Sequence, residues 1–385
     1  MNINKTNQTI IRPGQPGYRQ CSRCLMDTTD PWIVFDEQGR CNHCLRVDEF
    51  KLTWKPDGDP AALERLIEQV KQDGRGRDYD VVLGLSGGVD SSYIAYLCKL
   101  WGLRALVIHV DTGWNSELAV KNIESLIHFG GFDLDTLVVD WDEMRDLQLA
   151  FFRSGVPNQD IPQDHAIMAG FTRQAAKHNV RWTFIGSNFA SESILPQAWV
   201  YDNRDLSHIR DIHRRFGQRK LSQFPTMSRF EAYFRYRRLQ QLNRARPLDL
   251  IRYSKDEAIK TMEAEVGWRY YGGKHYESRF TKFYQGWYLP TKWGYDKRLA
   301  HLASIVMSGQ ISREEAIREF ETGSLPIDEV KADHAYMAGK LGISDDEFSA
   351  LMQVPNTPHS NYATTPAALR LVGKWFNKVA KKLGV

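Results

Sequence analysis

Leu83–Ala95 reads LGLSGGVDSSYIA. An apolar run, YDVVLGL, leads into glycines and hydroxyls, and a helix-like stretch from Ser91 to Trp101 follows. That order predicts a buried strand, a tight turn and a helix. Glycines let the backbone turn closely around a ligand, and the N–H groups at a helix start hold phosphate. Ser86, Ser91 and Ser92 add hydroxyl donors. Asp90 is anionic, so beside phosphate it calls for a cation, Mg²⁺. Neither G-x-x-x-x-G-K-[ST] nor G-x-G-x-x-G is present. A plain serine-rich helix cap would not need Gly-Gly and Asp together.

Outward from this turn, strands and helices alternate. LRALVIHVD, DLDTLVVDW and VRWTFIGSN read as three more strands, separated by SELAVKNIESLIHFGG and HAIMAGFTRQAAKHN as helices. Such alternation predicts an α/β fold, a doubly wound parallel sheet covered on both faces. Each strand ends in polar residues: Ser86 to Ser92, His109 to Asp111, Asp140, Ser187 and Asn188. Ligands of open α/β sheets bind at those ends.

Four of the five cysteines form two pairs, Cys21-x2-Cys24 and Cys41-x2-Cys44. The spacing predicts a four-thiolate, zinc-ribbon-like module with a structural Zn²⁺. With every position filled by protein, the metal holds the fold and does no chemistry. An iron–sulfur cluster is the other metal reading, and His43 is expected to be a bystander. The fifth cysteine, Cys98, falls on the helix after the glycine turn and is expected to be buried.

The chain has 385 residues with 42% hydrophobic and 25% charged content, which suits a large-cored protein of several domains. We expect residues 1–55 to form the cysteine module, 56–300 the sheet domain and 301–385 a helical C-terminal region. No apolar run reaches membrane-spanning length and the N-terminus lacks a secretory pattern, so the expected location is cytoplasmic. Net charge is +4 overall, yet between Arg204 and Arg252 there are 13 Lys and Arg against 4 Asp and Glu. That block suits an anionic partner: a nucleotide diphosphate, an acidic sugar or RNA. Ser312 with Glu315 and Ser344 with Glu347 predict helix-starting capping boxes. TPAALRLVGKWFNKVAKKLGV predicts a basic amphipathic helix at the end.

SGGVDSS resembles the pyrophosphate loop of the ATP-pyrophosphatase (PP-loop) superfamily, whose fold is adenine nucleotide alpha hydrolase-like. Those enzymes cleave ATP to AMP and pyrophosphate. The resemblance implies that Ser86, Gly87, Gly88, Asp90, Ser91 and Ser92 hold the β,γ-phosphates. It also implies that His109, Asp111, Gly113, Gly186, Ser187 and Asn188 flank the adenosine and the α-phosphate. Within the superfamily, tRNA-thiolating enzymes are the alternative. They generally need further cysteines or a cluster to deliver sulfur, and here Cys98 stands alone. A built-in glutaminase is excluded, because it needs a nucleophilic cysteine and none is placed for it.

CSRCLMDTTDPWIVFDEQGRCNHC, GLSGGVDSS, IRYSKDEAI and GWRYYGGKHYESRFTKFYQGWYLPTKWGYDKR together are similar to the N-acetyl sugar amidotransferases (WbpG/PseA-like) of bacterial surface-polysaccharide synthesis. The likeness runs from about Cys21 to Ala316. It implies an ATP-dependent, AMP-forming ligase acting in lipopolysaccharide O-antigen assembly. ATP adenylates the acetamido oxygen of a nucleotide-linked N-acetyl sugar, and ammonia displaces AMP to leave an acetamidino group. The ammonia comes from a HisH-like glutaminase with a HisF-like subunit, and no nucleic acid is expected as a partner. In the second half of the chain, Lys274 or Lys282 is the candidate for the α-phosphate. His275 or Glu277 is the candidate to take a proton from ammonia. Lys297 and Arg298 are further anion-holding candidates for the substrate.

Overall fold

The computed structural model describes residues 10–323 and 325–366. Five strands form one parallel sheet: β1 (Val81–Gly84), β2 (Ala105–Asp111), β3 (Asp133–Val138), β4 (Trp182–Phe184) and β5 (Asn243–Ala245). Their order across the sheet is β3-β2-β1-β4-β5. The chain therefore winds outward from β1 through β2 to β3, then returns to the other side of β1. The reversal opens a crevice beyond the carboxyl ends of β1 and β4. The four expected strands are all present. β5 was not foreseen, because a three-residue Asn-Arg-Ala segment inside the basic block carries no apolar pattern.

Side chains of a strand alternate between faces, and the alternation divides the core in two. Val81, Leu83, Ala105 and Val107 face α2 (Pro60–Asp73), α3 (Val89–Leu100), α4 (Glu117–Gly130) and the helix Lys255–Glu265. Val82, Leu106, Ile108 and Val110 face α5 (Trp141–Ser154), α6 (Ile161–Lys177) and α8 (Leu206–Phe216). The register seats Val81 beside Ala105 and Val82 beside Leu106, so like faces abut. Between α6 and α8, the short α7 (Phe189–Glu192) follows β4 directly.

The helices after residue 278 complete the second layer. Phe152 of α5 meets the rings of Phe280, Tyr288 and Phe348 edge-on at 6.0, 5.7 and 5.4 Å. Truncating such a ring costs about 3–5 kcal/mol, so this contact locks the C-terminal helices to the sheet domain. Both capping boxes form, Ser312 with Glu315 and Ser344 with Glu347. From residue 367 onward the expected terminal basic helix lies outside the described residues. Among the described residues, no helix is long and apolar enough to cross a membrane.

The cysteine module is built from two tight turns and α1 (Asn42–Lys51). It shares the second apolar cluster with the C-terminal helices. Arg313 clamps it by donating to the carbonyls of Cys21 and Cys24. The expected helical C-terminal region and zinc-ribbon-like module are thus both present on an α/β, doubly wound scaffold.

Candidate active site

β1 ends in apolar Leu85, and the chain then breaks into the glycine turn. Gly87 has φ +80°, a conformation L side chains rarely adopt, and a Cβ there would lie 2.6 Å from the carbonyl oxygen of Ala119. Ser86 Oγ accepts from the Gly88 amide at 3.2 Å and lies 3.2 Å from Ser91 Oγ. Helix α3 begins at Gly88 without a side-chain cap; instead the Val89 amide donates to the Tyr271 hydroxyl at 3.0 Å. Ser92 turns inward, fully buried, and accepts from the Trp268 indole at 3.1 Å. The turn thus offers Ser86, Gly87, Gly88 and Ser91 toward the crevice, with Ser92 serving the core.

The end of β2 is held as a unit. His109 Nδ1 donates to the Leu85 carbonyl at 2.8 Å, which leaves Nε2 to accept from the Asn115 amide at 3.0 Å. Asn115 also donates to Asp111, which accepts from the Gly113 amide at 2.8 Å. Across the crevice, Gly186 presses on the first turn of α3, where a Cβ would lie 2.8 Å from the Ser91 amide. Ser187 follows it, and Asn188 caps α7 through the Ser191 amide at 2.9 Å.

Residues 277–279 run antiparallel beside 114–116, with Ser116 donating to the Glu277 carbonyl and Arg279 to the Trp114 carbonyl, both at 2.9 Å. This short ladder carries the aromatic segment of the second half over the glycine turn. Lys274 Nζ reaches Glu192 at 3.0 Å, Ser191 Oγ at 3.2 Å and Asp90 at 3.8 Å. Asp90 also accepts from the Tyr253 hydroxyl. Burial raises the Asp90 carboxyl above its ordinary range against the pull of Lys274. Burial acts the same way on Glu192, but Lys274 and His275 outweigh it and hold that carboxyl low. Burial would lower Lys274, yet Glu192 and Asp90 keep its ammonium charged.

Glu277 packs on Gly88, and a Cβ there would lie 2.7 Å from its Oε1. Its Oε2 is buried without a hydrogen-bond partner among the described residues. His275 Nδ1 lies 3.7 Å from Glu277 Oε1, and His275 has φ 64°, a left-handed conformation uncommon outside glycine. Three other candidates are engaged by carboxylates of their own. Lys282 pairs with Glu329 at 2.6 Å and Asp333 at 3.3 Å. Arg298 is bound by Asp296 at 2.6 Å and lies over the Phe320 ring. Lys297 is buried 3.9 Å from Asp160. Sequence reasoning had not singled out Ser191, Glu192, Tyr253 or Tyr271. The basic block spreads over α8, residues 229–239 and β5, and Arg204, Arg214, Arg215, Arg219, Arg229 and Arg246 are ion-paired within the fold.

At the cysteine module the Sγ atoms all lie within 4.8 Å of one another, with three of the separations 3.7 Å. A tetrahedron with arms of about 2.3 Å has edges near 3.8 Å, so the four sulfurs fit zinc and are too far apart for a disulfide. The Arg23 and Cys41 amides lie 3.4 and 3.2 Å from Cys21 Sγ. His43 is engaged by Asp30 at 2.7 Å, apart from the sulfurs. Cys98 is fully buried, and burial pushes its thiol well up.

Sheet order, switch point and glycine turn together define a PP-loop nucleotide domain. A family model described as NAD synthase matches residues 62–128, which span α2 to α4 and so contain the turn. A second, described as "LPS biosynthesis protein WbpG-like, C-terminal domain", matches residues 277–378. Over these two stretches the chain is similar to WbpG-like proteins and to the PP-loop domain of the NAD synthases. No curated protein matches it. Among solved structures it is similar to an NH3-dependent NAD synthetase from Campylobacter jejuni (18% identity over 40% of this chain and 71% of that one, TM-score 0.28). It is also similar to an NMN synthetase from Francisella tularensis (13%, 76% and 98%, TM-score 0.31). An NAD+ synthetase from Burkholderia pseudomallei is a third such structure (20%, 58% and 89%, TM-score 0.27).

Proposed function

We propose that this protein is the synthetase half of an amidotransferase that converts the acetamido group of a nucleotide-linked N-acetyl sugar to an acetamidino group. The observation that carries the reading is Glu277 Oε2, a buried carboxylate oxygen without a hydrogen-bond partner among the described residues, on a side chain packed against Gly88 of the phosphate turn. The amides and hydroxyls of Ser86, Gly87, Gly88 and Ser91 bind the outer phosphates of ATP. Asp90 and Glu192 face a common point now taken by the Lys274 ammonium, and they are the carboxylates that would hold Mg²⁺. An ion held there would offset the charge of the phosphates. Lys274 stabilises charge building on the α-phosphate. The amide oxygen attacks that phosphorus and pyrophosphate leaves. Ammonia then adds to the activated carbon, Glu277 with His275 takes its proton, and AMP departs carrying the former amide oxygen.

Ammonia is supplied in trans, by a HisH-like glutaminase with a HisF-like subunit, in the assembly of lipopolysaccharide O-antigen. The buried Cys98 cannot carry sulfur to the crevice, which argues against thiolation. Residues 1–55 act as a zinc-held brace and 56–300 as the ATP domain, and the described helices of the 301–385 region add to the acceptor side of the site.

The test is mass spectrometry of a panel of nucleotide-linked N-acetyl sugars incubated with enzyme, ATP, Mg²⁺ and ammonium. One sugar should lose mass as O is exchanged for NH, with AMP and pyrophosphate formed in step. ADP as product, or glutamine serving the purified chain alone, would overturn the reading.

A further inference from the structure

Beside the phosphate turn lies a cavity of about 500 Å³, walled by the aromatic segment, the first turn of α4 and the helix Ile327–Leu341. Its volume falls in the range of small-ligand sites. Two tyrosines line it, Tyr271 and Tyr276. Two cations line it as well, and both are neutralised: Arg279 Nε bonds Asp333 Oδ1 at 2.8 Å, and Lys282 bonds Glu329 at 2.6 Å. We propose that this cavity is the subsite for the sugar ring itself, the uncharged polyhydroxyl part of the acceptor, and that its nucleotide diphosphate lies elsewhere.

Three observations support this. The first is charge. Two cations matched by two carboxylates leave no net field to hold a diphosphate, whereas fixed donors and acceptors on a rigid ion-pair network suit hydroxyl groups. Asp333 is buried and holds both cations at once, Arg279 at 2.8 Å and Lys282 at 3.3 Å, so the network is fixed in place. The second is lining: Tyr271 and Tyr276 bring aromatic surface beside the ion-pair network, the mix of apolar and polar groups that a pyranose ring presents in return.

The third is position. Tyr271 lines the cavity and also receives the Val89 amide of the phosphate turn, so one side chain borders both spaces. The wall residues Arg279, Lys282, Glu329 and Asp333 all fall within the WbpG-like match, while the turn falls within the NAD synthase match. The WbpG-like stretch thus supplies the ion-paired wall of the cavity, while Ser116 and Leu118 come from the NAD synthase-like stretch and Tyr271 and Tyr276 from the segment between.

The inference rests on the amidotransferase reading for the identity of the sugar, but its test does not use turnover. Free N-acetylglucosamine, N-acetylgalactosamine and N-acetylmannosamine at millimolar concentration are probed by saturation-transfer NMR against the full chain. Transfer to ring protons of at least one sugar is expected from the wild type. It should fall about tenfold in Tyr276→Ala and in Glu329→Gln, with circular dichroism unchanged. Glu329 is half exposed, so its isosteric change leaves the fold in place. Absence of transfer from the wild type, or transfer undiminished in both cavity variants, would overturn the assignment. Either result leaves AMP formation on sugar nucleotides standing, and failure of AMP formation leaves the NMR result standing.

Discussion

Glu277 lies against Gly88, although 188 residues separate them in the chain: a Cβ on the glycine would meet the carboxylate Oε1 at 2.7 Å. The obstructing atom is the end of a flexible side chain. Gly88→Ala should therefore change stability by less than about 1 kcal/mol while displacing the carboxylate from the turn. Steady-state kinetics should show kcat lowered by about tenfold or more. An unchanged kcat would mean that Glu277 does not act at this turn.

The neighbouring glycine makes the opposite case. Gly87 has φ +80°, and its added Cβ would meet backbone, the Ala119 carbonyl oxygen at 2.6 Å and the Cα at 3.0 Å. Backbone cannot swing aside as a side chain does. Gly87→Ala should lose about 1–3 kcal/mol or more in denaturant unfolding. Comparable stability for the two alanine variants would contradict this distinction.

Lys274 is the cation between two buried carboxylates, and Lys274→Met leaves Asp90 and Glu192 facing one another. Removing one partner of a buried pair costs up to about 3–5 kcal/mol. The loss should depend on pH. Without the ammonium, burial raises both carboxyls above their unfolded values, so the folded variant prefers them neutral. Stability of that kind is present at acid pH and is lost as pH rises. Unfolding of variant and wild type, compared at about pH 5 and about pH 8, should show the larger deficit at pH 8. A deficit independent of pH would place the Lys274 contribution in packing instead.

Much of this site is legible in the sequence where local pattern and tertiary role coincide. Val81 to Gly84 is an apolar run, and Ser86 to Ser91 is a turn whose residue types announce phosphate. The four cysteines declare themselves by spacing. Glu192 does not, because SESIL has no pattern of its own, and only the four-residue α7 after β4 turns it toward Lys274. Tyr253 and Tyr271 are likewise ordinary aromatics until the fold sets their hydroxyls on Asp90 and the Val89 amide. Lys282 shows the converse. It shares a charged segment with Lys274, but it lies on the helix Arg279–Phe283, where Glu329 and Asp333 engage it. Charge in a segment is visible in sequence, but the direction it faces is set by contacts with distant parts of the chain, for Lys282 with Glu329, 47 residues on.

The cysteine module predicts a metal dependence that is structural. Elemental analysis should find about one zinc per chain, and Cys41→Ser or a strong chelator should destabilise the module. Arg313 bonds the carbonyls of Cys21 and Cys24, so loosening should spread to the helix Arg313–Thr322. Hydrogen exchange should therefore quicken in residues 21–44 and in that helix together. A dark, oxygen-sensitive preparation would indicate an iron–sulfur cluster in place of zinc.

The buried histidine pair His208–His359 should make the fold lose stability at acid pH. His359 Nε2 accepts from the Asn158 amide, so its Nδ1 carries the proton donated to His208 Nε2 at 3.0 Å. Protonating His208 would set two N–H groups head to head. Burial holds His208 down to about 4, against the opposing fields of Asp205 and Asp211, and burial also lowers His359. A histidine lowered in the folded state is neutral there while the unfolded chain takes up a proton. Stability is therefore full above the unfolded value and is lost as pH falls toward 4. This site alone should cost about 2 kcal/mol between about pH 7 and pH 5. His208→Gln keeps an acceptor for His359 and cannot titrate, so its unfolding free energy should vary less over that interval. An acid limb as steep as that of the wild type would place the loss at other groups.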